Sequence, residues 1–92
     1  MELEQLRIFL AVAEEASFSE AARKLFVSHS TTSRAVSALE RELETPLFLR
    51  LGRSVTLTPA GEVLKAKAAD LLDLAEKVKE AVHAAEEGET TP

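Results

Sequence analysis

Apolar residues recur at three- and four-residue spacing at the start of the chain, at Leu3, Leu6, Phe9, Leu10 and Ala13. That period puts them on one face of a helix over residues 3–15. Ser17-Phe18-Ser19-Glu20 follows, a serine with a glutamate three residues on, which is the capping-box pattern that starts a second helix. Ala21, Ala22 and Leu25 give this helix an apolar face, and its alanines are small enough for another helix to cross close by. Phe26 and Val27 are apolar where the chain should turn, so both are expected to plug the core. Ser28 is the next N-cap. It opens a third helix, from Ser28 to Leu43, that buries Val36, Leu39 and Leu43, and Pro46 cannot continue it.

Leu47–Arg50 and Val55–Thr58 are short extended runs, joined by Leu51-Gly52-Arg53-Ser54 with the glycine a tight hairpin wants. Thr58-Pro59 then reads as an N-cap followed by a proline at the first helical position. The last helix is expected to run from Pro59 to about Ala85. Within it Leu64, Ala68, Leu71, Ala75, Val78, Val82 and Ala85 alternate spacings of four and three. This is a heptad seam, and its small residues allow close helix approach. At 1.5 Å per residue the helix spans on the order of 40 Å, more than so small a domain can cover. A second copy of the chain is the simplest partner for the seam, and folding back on its own domain is the alternative.

The expected fold is therefore mostly α. It is a winged helix-turn-helix, made of a three-helix core plus a two-stranded wing, followed by a long dimerisation helix. The expected divisions are 1–58 for the winged helix-turn-helix, 59–87 for the dimerisation helix, and 88–92 for a hinge or tail.

Composition narrows the function. Ninety-two residues make one domain, or one domain plus an arm. With no cysteine, disulfides, thiolate metal sites and a cysteine nucleophile are excluded, which suits a cytoplasmic protein. Acidic residues stand near the N-terminus where a signal peptide would be basic, and no apolar run approaches a membrane span. The net charge of −5 argues at first against nucleic acid. Its distribution reverses that. Residues 1–16 carry one basic and four acidic groups, residues 17–58 six basic and four acidic, and residues 59–92 four basic and eight acidic. Positive charge is concentrated in the helix-turn-helix and wing, where it can bind phosphate despite an acidic remainder.

These residues resemble the N-terminal DNA-binding domain of LysR-type transcriptional regulators. The likeness rests on an ordered set rather than on any one motif: Leu3-x-x-Leu6-x-x-Phe9, Ser17-Phe18-Ser19-x-Ala21-Ala22-x-x-Leu25, Val27-Ser28, Ser33-Arg34, Ala38-Leu39-Glu40 and Leu43. It continues through Pro46-Leu47-Phe48-x-Arg50, Gly52-Arg53, Leu57-Thr58 and Ala60-Gly61. The resemblance implies a homodimer through the last helix, and a tetramer once a larger effector-binding domain follows. On this reading the chain is a fragment that stops about where the hinge begins. No cofactor is expected in it, and a small-molecule effector would bind the domain that follows. The chain departs from the family pattern at His29, where glutamine is common, and at Ser30-Thr31, where proline or serine precedes alanine. Thr32 replaces an aliphatic residue, and Glu44 stands where glycine is frequent.

The candidate contacts to double-stranded DNA follow from chemistry and position. His29, in the first turn of the third helix, can bond purine N7 or guanine O6, or remain a solvent-exposed or capping residue. Ser30 and Thr31 allow close approach, and the Thr31 methyl can meet a thymine methyl, or both can serve only to start the helix. Ser28, which caps the same helix, is counted among these contacts. Ser33 suits a phosphate, as the resemblance and its helix position both imply. Arg34 can hold guanine bidentately or grip phosphate, and a salt bridge to Glu40 is disfavoured by their spacing. Arg53 at the hairpin tip would reach the minor groove or its flanking phosphates, and Arg50 would clamp phosphate, the alternative being a simple solvated surface. Ser17 and Ser19 can add phosphate contacts beside the helix amides. The dimerisation set is Leu64, Ala68, Leu71, Ala75, Val78 and Val82. All four phenylalanines, Phe9, Phe18, Phe26 and Phe48, are expected in the core.

Enzymatic chemistry finds no support. His29 and His83 lack metal-ligand spacing, the three glycines form no phosphate loop, and no nucleophile stands beside a base. The rival class is a helical interaction module, in which the heptad helix is the working surface and the helix-turn-helix is only scaffold.

Overall fold

A computed structural model describes residues 1–87, and the expected tail at 88–92 lies outside the described residues. The elements run α1 (Leu3–Glu15), α2 (Phe18–Leu25), α3 (His29–Leu43), β1 (Phe48–Leu51), β2 (Ser54–Leu57) and α4 (Pro59–Glu86). Three short helices, a two-stranded antiparallel sheet and a long last helix make this a winged helix-turn-helix.

Each helix starts where a side chain satisfies free backbone amides. The Gln5 side-chain oxygen accepts the Glu2 N–H at 3.0 Å ahead of α1. The Ser17 hydroxyl accepts the Glu20 N–H at 3.1 Å, and the Glu20 carboxylate turns outward to Arg23 at 3.4 Å. Ser28 accepts the Thr31 N–H at 3.0 Å, and Thr58 accepts the Gly61 N–H at 3.0 Å, with Pro59 at the first helical position.

The helix ends are less conventional. Ala16, Phe26 and Glu44 all adopt left-handed backbone geometry, with φ of 54°, 59° and 55°. None is a glycine, although that geometry costs an L-residue roughly 1–2 kcal/mol. After α2 the Val27 N–H bonds the Ala22 carbonyl at 3.0 Å and the Phe26 N–H bonds the Arg23 carbonyl at 3.3 Å, the pattern of a Schellman motif. In that motif the residue after the left-handed one makes the apolar contact. Val27 is accordingly half-buried and Phe26 is 95% exposed. The expectation that Phe26 plugs the core is thus corrected. Leu43, also expected inside, is partly exposed on the last turn of α3.

The core forms around α1, which packs against α2, α3 and α4. Leu6, Phe9 and Val12 meet Phe18 and Ala21 of α2, Val36 and Leu39 of α3, and Leu47, Phe48 and Val55 of the wing. The Phe48 ring lies 5.3 Å from that of Phe9 and 5.8 Å from that of Phe18. β1 pairs with β2 from Phe48↔Leu57 to Leu51↔Ser54, leaving a two-residue turn at Gly52-Arg53 where four residues were expected. Gly52, at φ 67°, takes the position that requires glycine in a type II′ turn. The Val55 N–H bonds the Ala16 carbonyl at 3.1 Å and ties the wing to the end of α1.

The heptad seam of α4 divides. Leu64 packs on the core, and Ala68 is fully enclosed within the chain's own domain, so Ala68 is not the free seam position that the spacing implied. Further along, Leu71, Leu74, Val78 and Val82 are exposed and Ala75 is half-buried. No helix among the described residues is long and apolar enough to cross a membrane.

Candidate nucleic-acid interface

α3 presents one polar face. Residues advance about 100° each around a helix of 3.6 residues per turn, so His29, Ser30, Ser33, Arg34 and Ser37 fall on one side. His29, Ser30, Arg34 and Ser37 are exposed and Ser33 is half-buried, while Thr32, Ala35, Val36 and Leu39 fill the opposite, buried side. Ser37 belongs to this face and was not among the expected contacts. Its spacing of four from Ser33 and three from Arg34 was the available signal.

Two of the expected contacts are engaged with each other. The Ser28 hydroxyl donates to Thr31 Oγ1 at 2.9 Å while accepting the Thr31 N–H. Their first task is to start the helix. Thr32 is fully buried, and its hydroxyl donates to the Ser28 carbonyl at 3.0 Å. A hydroxyl where an aliphatic residue is usual therefore leaves no polar atom stranded. The Ser33 hydroxyl lies 3.5 Å from His29 Nδ1, at the limit of a hydrogen bond.

The wing and the start of α2 meet this face at Phe18. The Arg50 guanidinium carbon sits 4.3 Å from the centre of the Phe18 ring, and the His29 ring lies 6.1 Å from it. A cation over an aromatic face is held by the ring quadrupole, so Phe18 steadies Arg50 while its ring fills the core. Sequence reasoning missed this second task because Arg50 and His29 are remote from Phe18 along the chain. Around the ring opens a cleft of about 600 Å³, lined by Ser17, Phe18, Ser19, His29, Arg50 and Arg53 together with Glu20. Six expected or newly found groups from three elements thus converge. Arg34 stands outside the cleft, on the exposed face of α3.

The cations of the described residues divide into those held in ion pairs and those that are not, with Arg41, Lys65 and Lys67 among the latter. Among the described residues, ion pairs engage the N-terminal amine, Arg7, Arg23, Lys24, Lys77 and Lys79, and Arg34, Arg50 and Arg53 take part in none of them. Lys24 is bound to α1 through Glu14 at 2.8 Å and Glu15 at 3.3 Å. The hydrogen bond and charge of Lys24 hold the Glu14 carboxyl below the usual carboxylate range, and the two carboxylates raise the Lys24 ammonium. The Glu40 carboxylate accepts the Leu47 N–H at 2.7 Å, and no ion pair described joins it to Arg34.

The sequence profile of the bacterial regulatory helix-turn-helix proteins of the lysR family matches residues 3–62. An uncharacterized HTH-type transcriptional regulator from the ibpB-leuC intergenic region of Azotobacter vinelandii is 42% identical over 83 residues, covering 90% of this chain and 58% of the relative. The HTH-type transcriptional regulator TfdT of Cupriavidus pinatubonensis is 40% identical over 90 residues, covering 98% of this chain and 40% of its own length. The chain thus spans about half the length of these curated relatives. Among solved structures, the BenM DBD in complex with catB site 1 DNA superposes with a TM-score of 0.92 at 36% identity, covering 99% of this chain and 98% of that one. The CbnR DBD in complex with DNA superposes with a TM-score of 0.90 at 38% identity, covering 92% and 98%.

Proposed function

The chain belongs to the lysR family of bacterial regulatory helix-turn-helix proteins, and on that premise we propose that it grips a dyad-symmetric DNA site as a homodimer. The observation that carries the reading is the cleft where Ser17, Ser19, His29, Arg50 and Arg53 converge, beside the exposed polar face of α3 that carries Arg34. DNA binding itself is the family's activity, supported by likeness to two regulators solved with DNA. The domain is a DNA-binding module, not an enzyme.

α3 enters the major groove. His29, Ser30 and Arg34 face base edges, with guanine as the natural partner of a bidentate arginine. Ser33, Arg50, Ser17 and Ser19 take phosphates, where hydroxyl and guanidinium donors set register without reading sequence. Arg53, at the tip of the Gly52-Arg53 turn, reaches the minor groove or the phosphates that flank it. Ser28 and Thr31, already bonded to each other, shape the helix start, and the outer face of Thr31 remains near the bases. The exposed stretch of α4 from Leu71 to Val82 pairs with its copy in a second chain, which makes the bound site a dyad. The whole protein would work in the cytoplasm and form tetramers, with its small-molecule effector site outside this chain.

Selection of bound duplexes from a random pool, with affinity of the winner followed against salt, tests the reading. The expected result is an enriched inverted repeat whose log affinity falls linearly as log salt rises. A pool that stays random overturns it, and dimers without DNA affinity at low salt would establish the interaction-module alternative.

A further inference from the structure

Below the wing, α3, β1 and α4 are joined through a single dipeptide, Pro46-Leu47. The Glu40 carboxylate of α3 accepts the Leu47 N–H at 2.7 Å. On the other side of the same residue, the Leu47 carbonyl accepts the Thr58 N–H at 3.0 Å. The Thr58 hydroxyl donates to the Pro46 carbonyl at 2.8 Å and accepts the Gly61 N–H at 3.0 Å, capping α4. Gly61 is buried, and a Cβ built there would collide with the Leu47 carbonyl oxygen, so α4 begins pressed against this peptide. The Leu47 side chain is itself buried in the core.

The node matters because of what surrounds it. α3 packs mainly on α1 and α2, whereas α4 packs on α1 and β2. Alongside their shared packing on α1, the polar node is a hydrogen-bonded link between α3, which the proposal places on DNA, and the start of α4. We infer that Glu40 and Thr58 are positioning residues that fix the angle between these two helices, and so the half-site spacing that the dimer selects. The inference rests on the DNA-binding reading above. The geometry gives it leverage. α4 has 28 residues, an arm of about 42 Å at 1.5 Å per residue. A rotation of about 10° at the node displaces the far end by about 7 Å. At 3.4 Å per base pair that is about two base pairs of spacing. Neither residue needs to touch DNA to have this effect.

The test uses the 92-residue chain and a duplex library with the selected half-site fixed and the spacer varied. Glu40→Ala and Thr58→Val remove the links, and Glu40→Gln and Thr58→Ser keep an acceptor and a hydroxyl in place. The wild-type chain should prefer one spacing sharply. In the two disruptive variants, discrimination between that spacing and its neighbours should fall about threefold to tenfold, with half-site bases unchanged. The conservative variants should restore it. Glu40→Asp, whose shorter side chain reaches Leu47 poorly, provides the same comparison if Glu40→Ala does not fold. Folded disruptive variants with the wild-type spacing profile would overturn the inference and leave the node a purely stabilising feature. A wild-type chain that enriches no half-site at all would overturn the DNA-binding reading itself, a separate result.

Discussion

Phe26→Gly separates two accounts of the helix-turn-helix most sharply. If Phe26 plugged the core, its removal would cost about 3–5 kcal/mol, as for other buried phenylalanines. The side chain is instead 95% exposed, so almost no burial is there to lose. Its backbone sits at φ 59°, a left-handed geometry that costs roughly 1–2 kcal/mol for an L-residue and nothing for glycine. Glycine also loosens the unfolded chain, which offsets about 0.4–1 kcal/mol of that relief. The net expectation is a gain of about 0.5–1 kcal/mol. Urea melts of wild type and variant, followed by circular dichroism at one protein concentration, measure the difference. Fixed concentration matters because dimerisation contributes to apparent stability. The midpoint should rise with the slope unchanged. A loss of about 3 kcal/mol would show that the aromatic ring is buried in solution and that the account of the turn is wrong.

Arg34→Ala should weaken specific binding by about 1–3 kcal/mol with little change in melting temperature, because Arg34 is exposed and in no described ion pair. Equal losses of folding and binding would remove it from the contact set. Arg50→Ala should reduce the slope of log affinity against log salt by about 0.9, the value for one phosphate contact. An unchanged slope would mean that Arg50 touches no phosphate. The Glu14–Lys24 pair has a defined pH signature. Glu14 is depressed, so its contribution is present above its unfolded pKa and is lost as pH falls through the lower folded value. Lys24 is raised, so its contribution is present below its unfolded pKa and is lost as pH rises through the higher folded value. The pair therefore persists through neutral pH. An NMR titration should find the Glu14 midpoint below the usual carboxylate range and returning to it in Lys24→Met, and no movement between the two would contradict the assignment.

The elements that the sequence reveals are those announced by local chemistry. Ser17, Ser28 and Thr58 are short hydroxylated residues ahead of apolar periodicity, and each caps the helix that begins just after it. The helix ends carry no such local signal. Left-handed stops are recognised by glycine or asparagine, and here alanine, phenylalanine and glutamate occupy them. Phe26 misled for that reason: hydrophobicity suggested the core, whereas backbone geometry turned the side chain outward and gave the apolar contact to Val27. Ala68 misled in the opposite sense. It lies on a regular heptad, but a heptad does not say which stretch the chain covers itself. At the site, the identities of His29, Arg34, Arg50 and Arg53 were legible from residue type and position. The stacking of Arg50 on Phe18 and the anchoring of Leu47 by Glu40 were not, because both join residues distant in sequence through the folded core.

Amide chemical-shift mapping of the isotopically labelled chain, titrated with its selected duplex, tests the central claim most directly. Perturbations should concentrate in residues 17–19, 29–37 and 50–53, which are the cleft formed by the start of α2, His29 and the wing together with the exposed face of α3 beside it. Perturbations confined to α4, with those three segments silent, would contradict the account and make the long helix the binding surface.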